Sequence, residues 1–119
     1  MTRDLDELLA FYADVLGLPV GHTNEIVNGG RVARVHCGDA AVKFVEPVPA
    51  PALADPPNLV RTTGIRYLTI IVTNGAQAYA KLEAEGCVVA NSRSESESRM
   101  MFFVRDPDGN LIEILQHFH

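Results

Sequence analysis

Two charged residues in this 119-residue sequence sit inside apolar runs where strand patterning gives them a direction. Glu113 lies between Ile112 and Ile114, and Lys43 between Val42 and Phe44. Side chains alternate faces along a β-strand, so if the flanking apolar residues pack against helices, both charges point the other way, toward a cavity. A buried carboxylate needs a cation, a metal or a shifted pKa, which makes Glu113 a candidate general base or ligand. The Lys43 ammonium is suited to pair with such a carboxylate or to hold an anionic substrate group. Tyr67 heads the run YLTIIVT and brings a phenol that can hydrogen-bond a substrate oxygen. Along Met100-Met101-Phe102-Phe103 one member of each pair faces a pocket, and Met101 and Phe103 are the candidate lining residues. Plainer alternatives stay open: Glu113 at a solvated rim, Lys43 as a guard on a sheet edge, Tyr67 as packing. His22, His36, His117 and His119 show no metal-ligand spacing, and the face His36 occupies is open. Cys37 and Cys87 make neither a disulfide framework nor a metal cluster and are expected to pack as small apolar groups.

The elements that must position these residues can be read from periodicity. Leu5, Leu8, Leu9, Tyr12, Val15 and Leu16 form one apolar stripe, predicting a helix over 4–16 with Asp4 or Asp6 as its cap and Gly17 as its stop. Strands are expected at 19–25, 31–37 and 40–45, separated by Asn28-Gly29-Gly30 and Gly38-Asp39. Residues 46–63 hold five of the seven prolines and read as a linker. Beyond it come a strand over 67–73, a helix over 76–85, a short strand over 87–90 and a solvated polar loop over 91–99. A hairpin of 100–105 and 111–116 follows, turning at Asp106-Pro107-Asp108-Gly109.

A shift of 69 residues lays the first helix and Gly17 on the second helix and Gly86. A shift of 70 lays Val42–Val45 on Ile112–Leu115, and therefore Lys43 on Glu113. One βαβββ unit is used twice. The first occupies 1–45, the linker 46–63 and the second 64–119, within a single domain. The partner of the 67–73 strand would fall before Met1, so the first unit lacks its first strand. A start placed about ten residues too late, a strand supplied by a second chain, or a shortened fold would each account for this, and a homodimer is the favoured expectation. A net charge of −5 offers no basic patch for nucleic acid, and no apolar run approaches the ~20 residues of a membrane span. With 47% hydrophobic and 21% charged residues, the expectation is a cytoplasmic protein whose partner is a small molecule.

The paired units, with Leu8, Phe11, Tyr12, Leu16, Gly17 and Leu18 in the first and Asp106 through Glu113 in the second, resemble the vicinal oxygen chelate superfamily of glyoxalases, bleomycin-resistance proteins and extradiol dioxygenases. The segment from Gly30 to Pro47 is also similar to the matching stretch of methylmalonyl-CoA epimerases. The resemblance implies an α+β fold in which two βαβββ units form an open, barrel-like mixed sheet around a pocket. It also implies a divalent metal held by the first and last strands of each unit, acting as a Lewis acid. Of those ligand positions, Glu113 matches the last-strand carboxylate, Lys43 is its counterpart in the first unit, and Tyr67 stands where a histidine is usual. The fourth falls in the absent strand. The expected site is thus degenerate, with no metal or a single divalent ion at Glu113. The function implied is an isomerase or lyase of the glyoxalase or epimerase type, with Glu113 as base or residual ligand and Lys43 and Tyr67 orienting substrate oxygens. The alternative is a metal-free protein that sequesters a drug or metabolite. Dioxygenase chemistry is disfavoured, since the iron-binding histidines are missing from the matched positions.

Overall fold

The computed structural model describes residues 1–54 and 59–119, so the part of the expected linker at 55–58 lies outside the described residues. The chain divides into two compact units, Met1–Ala54 and Asp55–His119. Among the described residues no helix is long and apolar enough to cross a membrane.

In the first unit, Asp4 is extended and its side chain accepts the Glu7 amide at 3.0 Å, capping helix α1 (Leu5–Leu9). The apolar stripe runs on, but the helix widens into a π-helical turn over Ala10–Val15, where the Leu16 amide reaches back five residues to the Phe11 carbonyl. Gly17, at φ 74°, then reverses the chain in the left-handed region open to glycine. Strands β1 (Asn24–Glu25), β2 (Arg31–Cys37) and β3 (Ala40–Glu46) form an antiparallel sheet in that order. The strand expected over 19–25 is broken. Val20 bridges to Val35, and only Asn24 and Glu25 pair regularly, with Val32 and Arg31. Leu5, Leu8, Phe11 and Tyr12 are buried along with Ala33, Val35 and Phe44, and the Tyr12 and Phe44 rings meet at 4.8 Å. Arg31 ties this helix to the sheet. Its guanidinium donates to Glu46 at 3.1 Å and Asp6 at 3.0 Å, while Glu46 also accepts the Leu5 amide at 2.6 Å.

The second unit carries β4 (Leu68–Ile71), α2 (Gly75–Ala84), β5 (Ser94–Glu95), β6 (Arg99–Arg105) and β7 (Leu111–His117). Its sheet runs β4-β7-β6-β5, with β4 parallel to β7 and the other pairs antiparallel. The strand expected over 87–90 is reduced to one bridge, Val88 to Val104. Helix α2 starts close to the sheet: a Cβ on Gly75 would stand 2.7 Å from the Met100 sulfur. The Gln116 side chain accepts the Gly75 amide at 2.8 Å and donates to the Thr73 carbonyl at 2.9 Å, fixing the helix start to β7. Leu82, Met100, Phe102, Val104, Ile112 and Ile114 are buried, and Tyr79 of α2 meets Phe102 edge-on at 5.1 Å.

The repeat is visible in the registers. Val35 pairs with Val42 and Ala33 with Phe44, just as Val104 pairs with Ile112 and Phe102 with Ile114. The same offset of 70 relates the Val72 amide on the Leu115 carbonyl, 2.9 Å, to the Thr2 amide on the Val45 carbonyl, 2.8 Å. Fold class is therefore α+β, two small open sheets each backed by a helix.

Candidate functional site

The chemistry-bearing faces follow from which side of each sheet the helix covers. In β7, Ile112 and Ile114 are 1% exposed and face α2, so Leu111, Glu113 and Leu115 lie on the helix-free face and are half-buried. The same alternation in β6 puts Met100, Phe102 and Val104 in the core and leaves Met101 and Phe103 on the helix-free face. Glu113 stands in register between Phe103 on β6 and Thr69 on β4. The next row is Met101, Leu115 and Ile71. Tyr67, immediately before β4 and 41% exposed, meets Phe103 edge-on with ring centroids 5.2 Å apart. Tyr67, Met101, Phe103 and Glu113 are thus brought onto one face of the second unit. Among the described residues the Glu113 side chain makes no hydrogen bond or ion pair, so a half-buried carboxylate stands amid aromatic and aliphatic groups with its oxygens free for a ligand.

Lys43 belongs to the first unit. It occupies in β3 the position of Glu113 in β7, also on the helix-free face, where it is exposed and in register with Arg34. His36, whose face sequence left open, lies on that face too, two residues from Arg34.

Several residues expected elsewhere have structural places. Ser92 is not solvated: its hydroxyl donates to the Val89 carbonyl at 2.6 Å and accepts the Phe103 amide at 3.1 Å, holding the segment after α2 against β6. Arg93 stacks 4.5 Å over the Tyr79 ring and pairs with Glu95 at 3.0 Å. His117 extends β7 one residue past the expected strand end and is paired with Arg99. Burial raises the pKa of both cysteine thiols. A groove of about 440 Å³ beside α2, lined by Tyr79, Glu83 and the 86–93 segment, lies on the helix side of the sheet. Its charges are already engaged, because Tyr79 donates to Glu83 at 3.3 Å and Arg93 has Glu95.

The residues present do not fit the divalent metal that the resemblance implies. Among the described residues no three histidine, cysteine, aspartate or glutamate side chains stand together to hold an ion. At the matched positions one carboxylate is accompanied by an ammonium and a phenol, and a protonated lysine has no lone pair to give.

The model of the glyoxalase/bleomycin resistance protein/dioxygenase superfamily matches residues 1–114. No curated protein matches the chain significantly. Among solved structures, a glyoxalase family protein from Bacillus cereus superposes with a TM-score of 0.81 at 16% identity, covering 99% of this chain and 89% of that one. The trypanothione-dependent glyoxalase I of Leishmania major gives a TM-score of 0.75 at 20% identity, with 97% and 80% covered. TnmS3, an antibiotic-binding protein from a Streptomyces species, gives 0.61 at 20%, with 98% and 89% covered. With the family model spanning nearly all of the sequence over a repeated unit of this topology, the chain belongs to the glyoxalase/bleomycin resistance protein/dioxygenase superfamily.

Proposed function

We propose that this chain binds a small, largely apolar organic molecule on the helix-free face of its second sheet and works as a binding protein without a metal. The observation that carries the reading is the unpaired carboxylate of Glu113 set among Tyr67, Phe103 and Met101. The edge-on Tyr67–Phe103 pair offers a rigid wall for a planar group at little entropic cost, and Met101 adapts to its outline. Glu113 accepts a hydrogen bond from the ligand and sets its orientation. A donor set unsuited to a divalent ion supports this reading over a metal-dependent catalytic one, and the fold is one that an antibiotic-binding protein also uses.

A second reading is favoured by the same unpaired carboxylate. Glu113 has the setting of a general base that takes a proton from a carbon beside a carbonyl, with the Tyr67 hydroxyl donating to the enolate oxygen, in an isomerase or lyase. One experiment separates the two. A library of planar aromatic and α-hydroxycarbonyl compounds is titrated into the protein while backbone amide shifts are followed by NMR in D2O-containing buffer. Saturable shifts at Met101, Phe103 and Glu113, weakened at least tenfold by Phe103→Ala and with no exchange of ligand protons, are the expected result. Deuterium entering the bound compound, abolished in Glu113→Gln, would replace the binding reading with the enzymatic one. Shifts confined to the groove beside α2 would overturn both.

A further inference from the structure

The helix-free face of the first sheet is basic in an acidic protein. Arg34 and Lys43 are in direct cross-strand register, and His36 follows Arg34 on the same side. The pairing is of the close kind. The Arg34 carbonyl is taken by the Gly21 amide at 2.9 Å, and the His36 amide by the Pro19 carbonyl at 2.9 Å. A strand residue presents its N–H and C=O to the same side, so both residues turn those groups away from β3, and Arg34 and Lys43 form a non-hydrogen-bonded pair. In such pairs the Cα atoms approach to about 4.5 Å and the side chains lie closest. Like charges directly opposite repel, and a sheet normally offsets this with a neighbouring acid. Here none is available on these strands: Glu25 and Glu46 are both in register with Arg31, on the other face. Among the described residues, Arg34, His36 and Lys43 make no side-chain hydrogen bond or ion pair. The His36 ring lies alongside Gly21, where a Cβ would stand 3.2 Å from its Nε2. The repeat sharpens the contrast, because the positions matching Arg34 and Lys43 in the second unit are Phe103 and Glu113.

We propose that Arg34, Lys43 and His36 form a binding site for a doubly charged oxyanion group, the phosphate or paired carboxylates of a small molecule. Arg34 supplies two parallel N–H donors to two oxygens, Lys43 a compact second charge, and His36 a ring N–H. The inference rests on the small-molecule reading of this protein and adds to it a separate site, within the first unit, for a molecule carrying such an anionic group.

The test uses the full chain and two probes, inorganic phosphate and succinate, titrated at constant ionic strength against sodium chloride while amide and side-chain shifts are followed by NMR. Saturable shifts centred on Arg34, His36 and Lys43 with at least one probe, absent with chloride, are expected. The stronger probe identifies the source of the charge. Arg34→Gln and Lys43→Gln should each weaken binding about tenfold, and Arg66→Gln, a half-buried cation of the second unit, should leave it unchanged. Both substitutions are at exposed positions, and circular dichroism checks that each variant keeps its fold. Shifts that never saturate, that chloride reproduces, or that survive both substitutions would overturn the proposal. Since the aromatic titration reports on the second unit, loss of phosphate and succinate binding with aromatic binding intact would discard the oxyanion site alone.

Discussion

The loop that carries the chain from β6 into β7, and so places Glu113, hangs on one side chain. Asp106 is 4% exposed. Its Oδ1 accepts the amides of Asp108 at 3.0 Å and Asn110 at 2.9 Å, and its Oδ2 accepts the Asn110 side-chain amide at 2.8 Å. The backbone closes the same loop, with the Asp106 amide on the Asn110 carbonyl at 3.0 Å and the Gly109 amide on the Asp106 carbonyl at 2.9 Å. Gly109, at φ 84°, takes the left-handed position. Asp106→Ala removes the side-chain acceptor of two partly buried backbone amides, at about 1–1.5 kcal/mol each. Asn110 is exposed and its side chain returns to water at little cost. The expected loss is therefore about 2–3 kcal/mol. Asp106→Asn keeps an oxygen at Oδ1 for both amides, for an expected loss below about 1 kcal/mol. Urea denaturation followed by circular dichroism measures both, and with typical slopes the alanine variant should shift the midpoint down by roughly 1–2 M. Equal losses in the two variants, or an alanine loss under about 0.5 kcal/mol, would refute the assignment of Oδ1 as the loop's anchor.

Two further outcomes follow from the packing. Phe102 is fully buried and edge-on to Tyr79. Phe102→Ala should cost about 3–5 kcal/mol through lost burial and the cavity left behind, measured by the same denaturation. Glu46, held by Arg31 and then by the Leu5 amide, has its carboxyl pKa lowered below the ordinary 4.5. Its contribution to stability is full above the unfolded-state value and is lost as pH falls through the depressed folded-state value. Glu46→Gln should therefore destabilise by on the order of 1 kcal/mol at pH 7, discounted for partial exposure. The gap to the unsubstituted protein should narrow as pH falls below the ordinary carboxyl value and close once pH has passed the lowered folded-state value. A gap that stays constant down to pH 2 would remove the charge from the explanation.

Glu113 and Lys43 were legible in sequence because each is flanked by apolar residues whose burial sets the strand's facing, and the 70-residue offset between them reappears in the backbone registers. The helices and long strands were legible for the same reason, being patterns of burial. What escaped depended on hydrogen bonds between distant segments. The polar stretch around Ser92 reads as solvated until its hydroxyl is seen satisfying Val89 and Phe103. The π-helical turn preserves the apolar stripe of an α-helix, so periodicity gives it no separate signal. The pairing of Arg34 with Lys43 needs the register of the β2–β3 hairpin, which places His36 on their side as well.

The order of strands in the second sheet has a kinetic side. In the first unit β2 meets β3 across a tight turn, a contact available almost as soon as both exist. In the second, β4 lies at the sheet edge, and its partner among the described residues is β7, more than forty residues further along the chain. Closing that distance is slow compared with zipping a hairpin. Until it closes, a stretch as apolar and β-branched as Leu-Thr-Ile-Ile has no neighbour, and even in the finished fold Ile71 is 67% exposed. During synthesis β4 is thus open to the wrong partner until β7 arrives, and β7 then covers one of its two edges.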